Sequence, residues 1–195
     1  MGTEYENLPI RSRQELRDWL SENHSKSPGV WVVTFKKRSE QPYVPYDVVV
    51  EEALCFGWID SRGRAVDEER SALLLTPRSP ISRWSQSNKE RIERLMANGQ
   101  MAPVGIKVVE AAKSSGMWTA LDEVEALIEP SDLRAALDAD PQARLHWNDF
   151  PRSAKRALLE WISLAKKPET RSRRIAETVT EAAANRRANQ WPRPR

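Results

Sequence analysis

The sequence predicts an α+β fold, a small antiparallel sheet of about three strands flanked by helices and followed by a C-terminal helical segment. Three observations carry that expectation. β-Branched and aromatic runs gather between residues 29 and 77, in GVWVVTFKK, WIDSRGRAV and SALLLTP, and then stop. The chain after residue 85 is spaced as helices and punctuated by glycine and proline. Strands collected in one part of a chain, with helices around and after them, suit α+β better than an alternating α/β plan. The expected organisation is an α+β domain over residues 1–122, a helical segment over 123–185 packed on it, and a flexible basic tail over 186–195.

Each element has its own signal. Ser12 followed by Glu15 forms a capping box ahead of ELRDWLSEN, whose Leu16, Trp19 and Leu20 share a helical stripe. Pro28 and Gly29 break that helix, and GVWVVTFKK favours a strand with Lys36 and Lys37 near its end. A polar loop with Pro42 and Pro45 leads to Asp47, read as the N-cap of VVVEEALCF, with Gly57 as the stop. Val48 to Val50 pull toward strand; Glu51, Glu52 and Gly57 decide for helix. WIDSRGRAV and SALLLTP then form a hairpin around Asp67 to Arg70, ended by Pro77. Ser85 or Ser87 caps a helix running through NKERIERLMANG to Gly99, and Pro103 starts another that stops at Gly116. Breaks near Pro130, Pro141, Pro151 and Pro168 divide the rest into short helices. Ser131 and Asp132 cap the first of these and Glu169 or Thr170 opens the last, while ANQWPRPR reads as a frayed end.

Composition narrows the function classes. A chain of 195 residues buries about 70 % of the surface its unfolded form exposes, enough for a core without staples. Its single cysteine, Cys55, allows no internal disulfide and sits in an apolar run as a buried thiol, which suits a reducing cytoplasm. His24 and His146 lie far apart, so no metal and no cofactor are expected. No apolar run matches a signal peptide or a membrane helix, which leads to an expectation of a soluble, cytoplasmic protein without membrane insertion. No GxSxG, HExxH, GxxxxGK[ST] or GxGxxG pattern occurs, and the reading leans away from an enzyme.

Two constellations remain. Trp58 and Trp84 stand beside Asp60, Ser61, Arg78, Ser82, Ser85, Asn88 and Arg91 at the ends of elements, where side chains converge. An aromatic wall with guanidinium donors and a capped helix start suits a small anion or a peptide. The same residues also suit loop locking, with tryptophan filling a gap and Asp60 holding an arginine. The second group is Lys166, Lys167, Thr170, Arg171, Arg173 and Arg174, cations at a helix start that need an offset from an acid such as Asp60 or Glu51, or from a bound anion. Nucleic acid is a less favoured partner, because Glu177 and Glu181 interrupt the basic stripe.

The succession GWIDS, TPR, SxWSxxN and, far downstream, AKKPETRSRRI at 165–175 resembles the YdeI/OmpD-associated family of bacterial proteins, also called the bacteriocin-protection family, over roughly residues 10–185. The resemblance implies a role in tolerance of cationic antimicrobial peptides, an envelope-protein partner and no established reaction. The expectation is then a non-enzymatic binding protein. Its ligand set is Trp58, Asp60, Arg78, Trp84, Ser85, Asn88 and Arg91, closed over by Lys166, Thr170, Arg171 and Arg174. A nucleic-acid module using the C-terminal arginines, and an enzyme on a small anion with Asp60 as base, are the alternatives.

Overall fold

In the computed structural model, which describes residues 4–189, the first helix begins where its capping pattern puts it. α1 (Arg13–Asn23) is N-capped by Ser12, whose Oγ accepts from the Glu15 N–H at 3.2 Å, while Glu15 Oε2 accepts from the Arg11 N–H at 2.8 Å. The chain divides into two units, Met1–Thr119 and Ala120–Arg195.

The first unit holds the sheet. Its strands β1 (Asn7–Pro9), β2 (Val30–Phe35), β3 (Trp58–Ala65) and β4 (Arg70–Pro77) lie in the order β1-β2-β4-β3. β2, β4 and β3 are antiparallel as expected, but β1 adds a fourth strand that runs parallel to β2, so the sheet is mixed. Three residues ending in proline carry no alternation to announce a strand. The pairing itself makes β1, through the Trp31 N–H on Glu6 O at 2.9 Å and the Ile10 N–H on Val33 O at 3.0 Å. Register sorts the faces: Val30 opposite Leu75 and Val32 opposite Leu73 join the main core, while Trp31, Val33, Ala72 and Leu74 form a smaller cluster with Tyr5 on the opposite face.

α2 (Tyr46–Cys55) is buried almost all round, at Val49, Val50, Glu52, Ala53, Leu54 and Cys55, which explains its weak periodicity. Asp47 is not its N-cap. Pro45 takes that position without a side-chain cap bond, and Asp47 sits in the first turn, where its charge still complements the helix dipole. α3 (Gln86–Ala97) and α4 (Pro103–Ser114) follow the hairpin, and Gly57, Gly99 and Gly116, the three expected stops, all have positive φ. α4 meets the C-terminus of α2 at Gly105, where a Cβ would stand 2.2 Å from Cys55 O, and the Ala102 N–H donates to that same oxygen at 3.0 Å.

One carboxylate ties these helices together. Glu52 is 0 % exposed, yet it accepts from Arg13 Nε and, at 2.9 Å, from Arg17 Nη1. Arg17 Nη2 goes on to Gln100 O at 2.8 Å, and the neighbouring Glu51 binds Arg94 at 2.5 Å.

The second unit is helical: α5 (Asp122–Glu125), α6 (Ser131–Asp138), α7 (Pro141–Asp149), α8 (Arg152–Ser163) and α9 (Pro168–Ala183). Each expected proline break falls at a helix start, Pro141 and Pro168 as first residues and Pro130 and Pro151 as N-caps. α9 therefore opens ahead of Glu169 and Thr170, and Ser131 is a helical residue with Pro130 as the cap. Its core gathers Leu133, Leu137, Trp147, Leu158, Leu159 and Ile162. Trp147 Nε1 donates to Glu129 at 2.7 Å, and Arg144 Nη1 reaches both oxygens of that carboxylate at 3.0 Å. Within the stretch expected as a flexible tail, Arg186 pairs with Glu181 at 2.7 Å and Ala188 is buried. Residues 190–195 of that tail lie outside the described residues.

Glu52→Ala is expected to lower the free energy of unfolding by about 3–5 kcal/mol, because it leaves two arginines facing an emptied, dry site; urea denaturation measures it. Burial, with Glu52 nearby, pushes the Cys55 thiol up to about 11. A thiol reagent at about pH 8 is therefore expected to modify Cys55 only as fast as the chain unfolds.

Candidate functional site

Directly after the prolyl end of β4, Arg78 is pinned by its own N–H on Gly57 O at 3.0 Å. Its guanidinium lies 3.8 Å from the centroid of the Trp84 ring. Nη2 donates to Arg83 O at 2.5 Å, while Nε is shut away from solvent without a hydrogen-bond partner among the described residues. Burial pulls the Arg78 pKa down to about 10, and the charge of Asp60 offsets only part of this. A cation set against an indole and a backbone carbonyl is incompletely compensated.

Trp84 is itself 1 % exposed, with its backbone N–H on Met117 O at 3.3 Å. Its ring meets Trp118 at 5.0 Å, and Lys89 and Lys113 approach Trp118 at 5.6 and 5.2 Å. Beside this stack opens a cavity of about 230 Å3, with Arg78 and Trp84 on one side and Val108, Ala111 and Ala112 of α4 on the other. Its walls are apolar apart from the guanidinium, Ser79 and Ser115. That combination suits a small carboxylate or phosphate attached to an apolar body.

The remaining expected residues of the first group do other things. Trp58 is a core residue, 1 % exposed, with Nε1 on His24 O at 3.2 Å and its ring edge-on to Trp19 at 5.9 Å. Asp60 accepts from the Tyr46 hydroxyl at 2.7 Å, not from Arg78, and burial followed by this bond pushes the Tyr46 phenol up to about 12. Ser85 is the N-cap of α3, accepting from the Asn88 N–H at 3.4 Å. Asn88 Oδ1 accepts from Arg91 Nη1 at 3.2 Å, and Arg91 Nη2 donates to Asp47 at 2.5 Å. Ser85, Asn88 and Arg91 thus lock α3 to α2. Ser61 Oγ bonds Leu74 O at 3.4 Å, and the Ser82 N–H bonds Ser79 O at 2.9 Å.

The second group is engaged inside its own unit. Arg171 grips Asp132 with two bonds, 2.6 and 2.9 Å, which holds Asp132 below the usual carboxylate range and raises Arg171. The acid that offsets α9 is therefore Asp132, neither Asp60 nor Glu51. Arg174 donates to Trp161 O and lies 5.1 Å from that ring. Lys166 is exposed and Thr170 half-buried in the first turn of α9. Lys89, only 6 % exposed, and its neighbour Trp118 went unremarked in the sequence. The sequence does carry a signal for Lys89, since it stands three residues before Ile92 and seven before Met96 on one face of α3.

Comparison with known families finds two matches. The family model described as Domain of unknown function (DUF8412) matches residues 8–108. The model described as Bacteriocin-protection, YdeI or OmpD-Associated matches residues 126–185, a stretch that contains the whole AKKPETRSRRI segment. No curated protein and no solved structure matches the chain.

Replacing the guanidinium by a flexible apolar side chain removes a poorly compensated charge while keeping much of its volume. Arg78→Met is expected to change stability by less than about 1 kcal/mol, whereas Trp84→Ala, which empties a packed site, is expected to cost about 3–5 kcal/mol. Parallel urea titrations of the two variants check the contrast.

Proposed function

The chain belongs to the domain-of-unknown-function family matched over residues 8–108, and from that premise we propose that it is a non-enzymatic binding protein whose Arg78–Trp84 pocket takes a small carboxylate with an apolar body, free or at the end of a peptide. The observation that carries the reading is the Arg78 guanidinium, stacked on Trp84, with a dry Nε that has no partner among the described residues and an apolar cavity beside it. A carboxylate in that cavity would supply the missing counter-charge, and the low local polarity would strengthen the bond.

We further infer a role in tolerance of bacteriocins or cationic antimicrobial peptides, as a stress response in the cytoplasm; its support is the description of the model matched by residues 126–185, a stretch that does not include the pocket. A net charge of +3 is a poor trap for cationic peptides by long-range attraction. Reading a peptide's C-terminal carboxylate and its last apolar side chain does not depend on net charge. No described helix is long and apolar enough to cross a membrane. The C-terminal arginines favour this reading over a nucleic-acid module, since Arg171, Arg174 and Arg186 already donate within their own unit.

Thermal unfolding with hexanoate, benzoate and short peptides ending in leucine or phenylalanine tests it. A ligand at a hundredfold excess over its Kd stabilises by about 2.7 kcal/mol. The free acids are expected to raise Tm, their amides to leave it unchanged, and Arg78→Met to abolish the response. Stabilisation that survives Arg78→Met, or none with any carboxylate, rules the reading out.

A further inference from the structure

A larger hollow opens elsewhere in the first unit, between the start of α2 and one end of the sheet. It measures about 470 Å3, a size typical of small-molecule sites. Its origin lies in the strand register. Along the core-facing side the large pair Val32 and Leu73 gives way to the small pair Thr34 and Ser71, with Ala65 opposite Ser71. Gly63, opposite Leu73, adds no side chain, and a Cβ there would meet only Ala72 O at 3.7 Å. The missing volume is the cavity, lined by Val44 and Val49 on the helix side.

Its mouth and its polar groups define what fits. Tyr43 and Tyr46 line it and are 43 % and 52 % exposed. Tyr46 is fixed by its hydroxyl bond to Asp60. The two cations at the rim are turned to other tasks: Lys36 Nζ donates to Asp67 O and Glu68 O at 2.7 and 3.1 Å, and Arg64 donates to Asn7 at 2.7 Å while lying 4.2 Å from the Trp31 ring. The hydroxyls of Thr34, Ser71 and Tyr43 have no hydrogen-bond partner among the described residues.

A charged ligand would have to draw the Lys36 ammonium off two carbonyls, or the Arg64 guanidinium off Asn7 and the Trp31 ring on the second face of the sheet. A hydrocarbon would strand the Thr34 and Ser71 hydroxyls away from water, a cost it does not repay. An uncharged ring bearing several hydroxyls satisfies both conditions, setting its C–H face against a tyrosine and its hydroxyls against Thr34 and Ser71. We propose that this cleft is a neutral carbohydrate site that takes a pyranose ring, separate from the Arg78 pocket and independent of what that pocket binds.

Amide NMR of the whole chain with millimolar maltose, chitobiose and, as the charged control, glucuronate tests the proposal. A neutral sugar is expected to shift the amides of Thr34, Gly63, Ala65 and Ser71. Gly63→Val, which fills the hollow at a strand position with ordinary backbone angles, is expected to weaken binding at least about tenfold with Tm unchanged or raised. Thr34→Val, which keeps shape and removes the hydroxyl, is expected to weaken it several-fold and carries the test if Gly63→Val fails to fold. No shift with either neutral sugar, shifts that persist unchanged in both variants, or tighter binding of glucuronate overturns the proposal.

Discussion

Glu52 is the constraint on which the first unit is built. A carboxylate with no exposed surface is costly to bury, and it is tolerated here because Arg13 and Arg17 of α1 bring their donors to it. The pair sets how α1 and α2 lie together, and α2 in turn meets α3, α4 and β3. Where α2 ends, Gly57 turns the chain into β3 and offers its carbonyl to the Arg78 N–H. The position of the guanidinium on Trp84 therefore follows from a helix that is anchored by a salt bridge in its own last turn.

Arginines are used in this chain in contrasting ways. Several are matched to carboxylates: Arg91 to Asp47, Arg94 to Glu51, Arg144 to Glu129, Arg156 to Glu125 and Arg171 to Asp132. These pairs hold helices to their neighbours and leave little donor capacity for a guest. Arg78 differs from these five: like Arg174 it meets an indole and a carbonyl, and burial lowers its pKa. A cavity lies beside this guanidinium, and that coincidence is what supports the proposal of a binding role for Arg78.

Much of the scaffold was legible because it rests on local rules. Ser12 and Ser85 cap the helices they precede, the three glycine stops have the backbone that only glycine adopts at ease, and the hairpin turns between Ala65 and Arg70. What escaped was non-local. β1 exists only through its parallel partner, Glu52 hid among surface-looking acids, and the acid facing Arg171 comes from α6, not from the first half of the chain. Within the candidate site, Arg78 and Trp84 do come together, whereas Ser85, Asn88 and Arg91 form a brace and Trp58 fills the core. Tryptophan beside polar turn residues signals convergence, but one dimension does not reveal whether the indole faces a hollow or its neighbours. The hollow itself depends on α4, about twenty-five residues downstream of Trp84.

The smaller cluster on the second face of the sheet has a further consequence. Trp31 is 8 % exposed, and the groups lying over its ring are the guanidinium of Arg64 at 4.2 Å and that of Arg62 at 5.6 Å, both from the edge strand β3. A strip of indole and aliphatic carbon that would otherwise invite self-association is roofed by hydrated charge carried on flexible stems. The same two arginines repel an identical edge brought alongside. The side chains that pack over Trp31 thus also place like charge along the edge strand, which disfavours pairing of β3 with an identical edge.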